Sequence, residues 1–428
     1  MRVLILAQYF PPDLGGSSTR AYNVARGLVL NGVNTTVVTS YPHYPHGVIS
    51  REYAWKPYAV EQMNGVKVIR TFMIPLESKG LMRRLVTFIA FIISSLQGLL
   101  LVRDIDAVLV ANPDIFGIIP GIVYKHVHRC PIIFNVDDLS IEDVENLKMM
   151  EAQSLPFRLV KRVSSLLYRM VDAVTPISPG YLEGIQRLGV RKGRIYPVLG
   201  GVDLDVFKPQ QGTMSSVFTV AYSGSFSVAY DFDQVLDAAE LLSGKNSVVF
   251  MIQGKGELGE ELQRKVSARR ISNVQLIDKI LTRDEVSGLL GQADALILPL
   301  RDFGAPYRGI SSKIYEYQAL AKPIICCAKG QPADYIEETR SGIVVTPGDS
   351  RELADAVLLL SEDANLARSL GESGRKYVEQ NVALDRIGSR MKSVITHTLN
   401  EKRGYIDPGS GAENNLKSRV DALDEVTS

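Results

Sequence analysis

Short apolar runs alternate with longer segments of helical periodicity along almost the whole chain. Runs of about four to eight residues predict buried strands, and apolar residues spaced three or four apart predict the helices between them. Such alternation is typical of parallel sheets whose strands are joined by helical crossovers. The pattern therefore predicts an α/β protein.

The predicted strands fall into two series. The first comprises Val3–Gln8, Thr35–Thr39, Val66–Arg70, Ala107–Ala111, Pro131–Val136, Ala173–Thr175 and Arg194–Pro197. The second comprises Phe218–Tyr222, Val248–Ile252, Val274–Ile277, Ala295–Pro299, Pro323–Cys326 and Gly342–Val345. The helices predicted between them include Ser18–Leu30, Asp233–Leu242, Leu258–Ala268 and Arg283–Leu290. Two doubly wound parallel-sheet domains follow from this arrangement.

A polar stretch without periodicity, Phe207–Gly212, separates the two series and predicts a linker. We therefore expect an N-terminal domain over residues 1–205 and a C-terminal domain over residues 206–385. A helix over 386–402 could pack back on the first domain. The polar residues 403–428 are expected to form a disordered tail.

Leu85–Val102 forms a run of 18 residues without a charge, preceded by Lys79, Arg83 and Arg84. The run is near the lower length limit for a membrane span, and it could also form a buried helix or a helix with one face on a bilayer. A span is disfavoured because Ala107–Ala111 must rejoin the same sheet directly afterwards. The preceding cations favour peripheral contact with an anionic membrane.

The composition excludes several classes of protein. Of 428 residues, 46% are hydrophobic and 22% charged, so most of the chain is not disordered. With 48 basic and 47 acidic side chains, no global charge attracts nucleic acid, and we expect no such partner. Residues 1–200 nevertheless hold 22 basic and 15 acidic residues. This excess indicates an anionic ligand or lipid surface, or only a bias of composition.

The cysteines and the N-terminus bear on compartment and cofactors. Cys130, Cys326 and Cys327 show no spacing typical of a disulfide framework or a zinc site, so we expect reduced thiols and no metal or other cofactor. The opening MRVLILAQYFPP predicts a first strand rather than a signal peptide. We therefore expect a cytoplasmic protein that associates peripherally with the inner face of the cell membrane.

Two segments could carry chemistry. After the first strand, Gly15 and Gly16 would let backbone N–H groups approach a ligand at a helix N-terminus, although a tight turn has the same sequence. In the second half, Ser311 and Ser312 precede a short helix with Lys313 and Glu316 on one face. That arrangement could bind a phosphate and ribose hydroxyls, or it could be a capped surface helix with an ion pair.

Longer stretches around these segments resemble a known family. They read PPDLGGSSTRAYNVARGL, DAVTPISPGYLEGIQRLGV with RIYPVLGGVDLDVFKP, and KIYEYQALAKPII. They are similar to the PP-x-x-GG loop, the stretch ending in N-G-V-D-x-x-x-F and the E-A-x-A-x-G-x-P-V element of family 4 of the nucleotide-sugar-dependent glycosyltransferases. The resemblance spans Met1 to about Leu399. It implies the GT-B arrangement, in which two Rossmann-like domains face a cleft.

The chain departs from the family pattern at several positions. The family carries two glutamates eight positions apart, and counting back from Glu316 gives Arg308. The loop Tyr222–Tyr230 lacks the arginine and lysine that often contact the diphosphate. The resemblance then implies that the charge of the phosphates is neutralised by Lys313, Arg308 and Lys255.

The resemblance also implies catalytic roles. In place of the histidine of the family after an N-domain strand, this chain has Asn135-Val136-Asp137-Asp138-Leu139. We expect Asp138 to orient or deprotonate the acceptor hydroxyl, unless it only caps a helix, and Glu316 to act on the donor. Gly15, Gly16, Ser311 and Ser312 are expected to complete the substrate site.

The stretches SYPHYPHG and GVKVIRTF look like a subgroup that acts in bacterial surface-polysaccharide assembly. The resemblance implies a retaining transfer from a nucleoside-diphosphate sugar, with uridine diphosphate expected, to a lipid-linked saccharide. Two alternatives share the architecture. They are a sugar-nucleotide epimerase and a catalytically inactive scaffold that binds nucleotide sugars.

Overall fold

The computed structural model describes residues 1–44, 47–53, 56–74, 81–111, 117–138, 155–210, 217–244 and 248–404. The chain divides into two compact units. Unit 1 comprises Met1–Gly200 together with the segment that begins at Leu384, and unit 2 comprises Gly201–Ala383. The division therefore falls five residues before the expected domain boundary at 205.

Unit 1 is built on a seven-stranded sheet in the order β3-β4-β2-β1-β5-β6-β7. Only β3 is antiparallel to its neighbour. The central strands β1 and β5 are apolar and almost wholly buried, as a sheet covered on both faces requires. The strands are β1 (Arg2–Leu6), β2 (Asn34–Ser40), β3 (Tyr58–Met63), β4 (Val66–Thr71), β5 (Ala107–Ala111), β6 (Ile132–Val136) and β7 (Ala173–Pro176).

Unit 2 is built on a six-stranded, wholly parallel sheet in the order β10-β9-β8-β11-β12-β13. Because parallel strands are joined by crossovers, the loops at their carboxyl ends gather at one edge, where ligands of such folds bind. The strands are β8 (Phe218–Ser225), β9 (Val248–Lys255), β10 (Val274–Asp278), β11 (Ala295–Pro299), β12 (Ile324–Cys327) and β13 (Gly342–Val345).

The described helices connect and cover these strands. In unit 1 they are α1 (Gly16–Leu30), α2 (Leu81–Ser95), α3 (Ile118–His128), α4 (Leu155–Met170), α5 (Leu182–Arg187) and α13 (Leu384–Lys402). In unit 2 they are α6 (Phe232–Leu241), α7 (Gly259–Arg269), α8 (Arg283–Gly291), α9 (Ser312–Ala319), α10 (Gln331–Thr339), α11 (Ser350–Glu362) and α12 (Ala364–Asn381).

The last described helix, α13, packs against α1 within unit 1. A Cβ atom on Gly27 would collide with the Leu384 carbonyl, and one on Gly388 would collide with the backbone of Gly27. The Asn31 amide donates to the Asp385 carbonyl at 2.8 Å. Glycines on both helices therefore allow the two backbones to meet. The expected tail begins at residue 403, and residues 405–428 lie outside the described part.

Two details of the predicted strands are wrong. The edge strand β3 was missed, although the Asn64-Gly65 turn that joins it to β4 has both residues at positive φ, as two-residue hairpins favour. Arg194–Pro197 is not a strand. It makes one isolated bridge, from Ile195 to Val174, because Pro176 at the end of β7 has no N–H with which to extend the ladder.

Candidate functional site

In unit 2 the N-terminus of α9 provides backbone donors at the carboxyl edge of the sheet. Ser311 is its N-cap residue, and among the described residues its hydroxyl accepts no capping hydrogen bond. Ser312 is the first helical residue, and both serines are half-buried. The first N–H groups of a helix lack intrahelical partners and lie at the positive end of its dipole. The end of α9 is therefore suited to an anion.

Lys313 lies in a compact aromatic setting rather than in solvent. Its Nζ atom is 5.6 Å from the centroid of the Tyr222 ring and 6.0 Å from that of Tyr230. A Cβ on Gly224 would collide with this Nζ, so glycine at the end of β8 leaves the space that the ammonium occupies. Among the described ion pairs, none joins Lys313 to Glu316. This arrangement disagrees with a capped surface helix that carries an ion pair.

Glu316, one turn further along α9, is half-buried. Desolvation by burial raises the pKa of its carboxyl group, and the positive charges of Lys313 and Arg283 act in the opposite direction. Electrostatic interactions are stronger in a site of low dielectric constant than in water. A ligand hydroxyl that donates to Glu316 would therefore be held firmly. Arg283 was not singled out from the sequence.

Replacing Glu316 by glutamine is expected to weaken donor binding by about 1–3 kcal/mol, because a charged acceptor is lost while the shape is kept. Calorimetric titration with a uridine diphosphate sugar measures the effect. The control is Glu337→Gln, since Glu337 is exposed on α10 of the same unit. Equal donor affinity in Glu316→Gln and the unsubstituted protein would remove Glu316 from the site.

The other expected donor-site residues of unit 2 lie in different surroundings. The Lys255 Nζ is exposed and lies 3.4 Å from Asp278 Oδ2 on the neighbouring strand β10. Arg308 is half-buried on the loop that leads into α9. Asp302, the acidic residue nearest to the missing glutamate, pairs with Lys329 at 2.8 Å, which lowers its carboxyl pKa. Asp302 is therefore engaged by Lys329. Lys313 lies in the first turn of α9 and supplies a positive charge there.

In unit 1 the loop after β1 is fixed by a buried carboxylate. Asp13 Oδ1 accepts hydrogen bonds from the backbone N–H groups of His43 and Tyr44, both at 2.8 Å. Fully buried Arg70 donates to the Pro11 carbonyl at 2.6 Å and pairs with Glu61 at 2.8 Å. Burial raises the pKa of the Asp13 carboxyl group. The loop is therefore firmly attached to the ends of β2 and β4.

Gly15 and Gly16 connect this loop to α1. Gly15 has φ of +108°, a conformation that residues with a side chain rarely adopt, and it is the N-cap residue of the helix. Gly16 is the first helical residue. A Cβ atom there would meet only the flexible Arg20 guanidinium, at 3.3 Å. Both glycines are exposed, so their backbone is accessible to a ligand.

We expect Gly16→Val to lower kcat/KM for sugar transfer by about tenfold or more, which corresponds to about 1.4 kcal/mol of activation free energy. The melting temperature should change by less than about 4 °C, because the added side chain displaces only the end of Arg20. A valine variant with normal kcat/KM, or one that is inactive only because it is unfolded, would leave Gly16 as a residue of a tight turn.

The carboxyl end of β6 carries two adjacent aspartates in contrasting environments. Asp138 is exposed, whereas Asp137 is buried and accepts a hydrogen bond from the Asn135 amide at 2.7 Å. Desolvation raises the pKa of Asp137 to about 6, opposed by the charge of Arg20. Arg20, on α1, donates to the Asp137 carbonyl at 3.1 Å. The structure therefore joins the β6 end to α1, a link that sequence reasoning missed.

Aromatic side chains lie beside the loop after β1. The Tyr9 ring is 5.4 Å from the ring of His43 and 5.7 Å from that of Tyr44, measured between centroids. Tyr44 is 44% exposed, and a Cβ on Gly15 would be 3.6 Å from its ring. These three residues follow the ends of β1 and β2, so a partly exposed aromatic surface borders the glycine loop. No local sequence motif indicated this surface.

Each unit thus has the Rossmann-like design in which polar and glycine-rich loops gather at the carboxyl ends of parallel strands. Family models match both. Residues 15–201 match the glycosyl transferase 4-like domain, and residues 217–363 match the glycosyl transferases group 1. Together the two matches cover well over half of the chain. The chain belongs to family 4 of the GT-B glycosyltransferases, and it is a glycosyltransferase.

The curated relatives include proteins of Escherichia coli. O-antigen chain mannosyltransferase C is 26% identical over 255 residues, which cover 57% of this chain and 67% of that protein. WcaI of strain K12, named for colanic acid biosynthesis, is 21% identical over 94% of this chain and 100% of its own length. Alignments with two further relatives span only 44% and 49% of those proteins.

A solved structure has the same fold. The crystal structure of Anabaena HepE in complex with UDP and glucose matches with a TM-score of 0.67 at 16% identity, covering 92% of this chain and 99% of that one. Within the described ranges no group of three or more His, Cys, Asp or Glu side chains could hold a metal ion. Among the described helices, none is both long enough and apolar enough to cross a membrane.

Proposed function

We propose that this glycosyltransferase moves a sugar, with retention of anomeric configuration, from a uridine diphosphate sugar to a lipid-linked saccharide in bacterial surface-polysaccharide biosynthesis. The observation that carries the proposal is the start of α9, where Lys313, Glu316 and free helix N–H groups lie together. The relative named for O-antigen chains supports the pathway, and the HepE neighbour with UDP supports the donor.

The donor half of the reaction requires stabilisation of the departing diphosphate. As the bond to the anomeric carbon breaks, negative charge grows on the phosphate oxygens. Preorganised donors and cations directed at such charge lower the barrier strongly. Lys313 supplies a positive charge, and the N-terminus of α9 supplies backbone N–H groups. The proposal uses no metal cofactor.

The acceptor half of the reaction requires an oriented hydroxyl group. In this proposal Asp138, which is exposed at the end of β6, accepts the proton of the acceptor hydroxyl or orients it. Asp137 and Arg20 act as positioning residues, since Arg20 bonds the Asp137 backbone to α1. The surface formed by Tyr9, His43 and Tyr44 then offers aromatic faces to the acceptor sugars.

The decisive experiment incubates the purified protein with a panel of nucleoside-diphosphate sugars and a polyprenyl-diphosphate-linked saccharide, and it measures nucleotide release and product. The expected result is UDP release that depends on the acceptor. Release of a different nucleotide would overturn the choice of donor. Isotope exchange at C2 of the donor sugar would indicate an epimerase, and binding without transfer would indicate a scaffold.

The proposal includes peripheral contact with an anionic membrane. The outer face of α2 and the turn after it is apolar, with Val86, Ile89, Ile93 and Leu100 exposed, the last by 82%. On the opposite face Ser94 and Ser95 are buried. Phe91 is buried on that inner face too, so apolar side chains lie on both faces of the helix, and the exposed ones favour a bilayer as the partner. Lys79 and the side chains of Arg83 and Arg84 lie outside the described part.

Placing charges on this face should release the protein from membranes. We expect Ile89→Asp/Ile93→Asp to lower partitioning onto anionic vesicles at least tenfold, because burying each side chain contributes about 1.5–3 kcal/mol. Vesicle flotation at low salt measures the effect. The control is Leu241→Asp/Leu359→Asp, which alters two comparably exposed residues of unit 2. Equal flotation of both variants, or no flotation of the unsubstituted protein, would contradict membrane contact.

A further inference from the structure

A basic cavity lies in unit 1 between the end of α4 and the segment that follows α5. Its volume is about 360 Å³, within the range of ligand pockets. Buried Tyr168, Val171 and Val190 form part of its lining. The remaining lining includes three arginines, Arg169, Arg191 and Arg194. The cavity thus combines a buried apolar part with exposed cationic groups.

The backbone around the cavity is fixed by local hydrogen bonds. The Ser165 hydroxyl donates to the Leu188 carbonyl at 2.8 Å, and the Gly189 N–H donates to the backbone carbonyl of Gln186 at 2.8 Å. Gly189 has φ of +93°, and a Cβ there would collide with the Arg169 guanidinium. Only glycine at this position lets the guanidinium lie against the backbone. The position of the Arg169 guanidinium is therefore determined by the backbone at Gly189 as well as by α4.

The three arginines have no acidic partner among the described residues, and neither Asp nor Glu lines the cavity. Nearby cations differ in this respect. Arg187 pairs with Glu183 at 3.1 Å, and Lys125 pairs with Asp172 at 2.9 Å. Like charges brought together without a counterion repel one another, so a bound anion would stabilise this arrangement. The planar guanidinium fork matches phosphate oxygens in particular.

The cavity is separate from the proposed reaction site. Arg169 lies at the end of α4, just before β7 begins at Ala173, so the cavity is at the amino ends of the strands. The glycine loop and Asp137 follow the carboxyl ends of β1 and β6. In a parallel sheet these are opposite edges.

Apolar side chains border the arginines on the same helix. Leu166 is 59% exposed and Met170 is 39% exposed, and they lie three residues before and one residue after Arg169. An anion that carries an alkyl chain could thus contact both the guanidinium groups and these side chains. An anion without such a chain would use the arginines alone.

We propose that this cavity binds a phosphate or diphosphate group, supplied by a lipid headgroup or by a soluble phosphate ester. The site goes beyond the proposed transfer reaction and does not depend on it. Each arginine donates charge-assisted hydrogen bonds to the phosphate oxygens, and the buried apolar part of the lining holds the site open. A lipid source would add contacts with Leu166 and Met170.

The experiment titrates the full chain with pyrophosphate, with inorganic phosphate and with dihexanoyl phosphatidic acid below its micelle concentration. Calorimetry gives affinity, and hydrogen exchange of the segment 186–196 reports binding at the cavity rather than at α9. We expect slower exchange in this segment, and at least about tenfold weaker binding in Arg194→Gln, since a charged hydrogen bond is lost. Arg187→Gln, which removes the same charge outside the cavity, should bind normally.

The arms of the titration distinguish the sources. Phosphatidic acid that binds at least tenfold more tightly than inorganic phosphate, with the excess lost in Leu166→Ser, assigns the site to a lipid headgroup. Equal affinities assign it to a soluble phosphate. Unchanged exchange over residues 186–196 with every ligand, or equal weakening in the Arg187→Gln control, would overturn the proposal. Sugar transfer by Arg194→Gln is measured separately. A failure of anion binding at the cavity can then be distinguished from a failure of the proposed transfer reaction.

Discussion

Replacing Lys313 by alanine is expected to lower kcat/KM for sugar transfer by about 100- to 1,000-fold, the loss typical when one preorganised group that stabilises transition-state charge is removed. In unit 2 this ammonium is held over the end of β8, next to the first N–H groups of α9. Alanine removes the charge that would face the departing diphosphate. The melting temperature should change little, because no described ion pair depends on Lys313.

Two further variants sharpen this test. Lys279→Ala removes an equal charge from an exposed ion pair with Glu285 and should keep normal activity. Gly224→Ala keeps the charge of Lys313 but forces its Nζ to move, so it should lose activity in the same direction. Transfer rates with a defined donor measure all three variants. If Lys313→Ala and Lys279→Ala were equally active, the leaving-group role of Lys313 would be wrong.

The stability of unit 1 is expected to depend on the protonation of Asp137. Burial raises its pKa from 3.8 to about 6, so between these values the folded state binds more protons than the unfolded state. Stability therefore falls as the pH rises through this window, by up to about 3 kcal/mol. Asp137→Asn lacks this titration. Relative to the unsubstituted protein, it should gain up to that amount between pH 4 and pH 7.5.

Denaturant unfolding at a series of pH values, followed by far-ultraviolet circular dichroism, measures this difference. The control Asp104→Asn changes a carboxylate that is 71% exposed and has φ of +55°, which asparagine tolerates. Its pH dependence should match that of the unsubstituted protein. Parallel curves for Asp137→Asn and the unsubstituted protein would show that Asp137 does not titrate in this range.

The burial of Asp137 also separates it from its neighbour Asp138 in a way that the sequence could not. Two adjacent aspartates after a strand have the same chemistry on paper, and only their exposure distinguishes them. Asp138 is exposed, as its proposed role requires, whereas Asp137 is enclosed among Asn135, Arg20 and the strand ends. Arg20 is more than one hundred residues away in sequence. No local pattern could have brought it to Asp137.

The sequence by itself determined the architecture of the two units. Periodicity placed twelve of the thirteen strands to within a few residues, because buried parallel strands are nearly continuous apolar runs with few alternatives. It missed β3, which lies at an edge and is only partly buried. For such a strand, the apolar pattern alone is a weak predictor. The family was also accessible from sequence, since the loop and helix motifs are local.

Only the tertiary structure decided the environments of the functional side chains. It placed Lys313 among Tyr222, Tyr230 and Gly224, and it gathered Arg169, Arg191 and Arg194 around one cavity. These sets come from segments on different strands and helices, so the sheet order determines which of them meet. Charge and pKa then depend on the solvent that the surrounding chain excludes. A sequence records which groups are present, whereas desolvation and close approach arise only after folding.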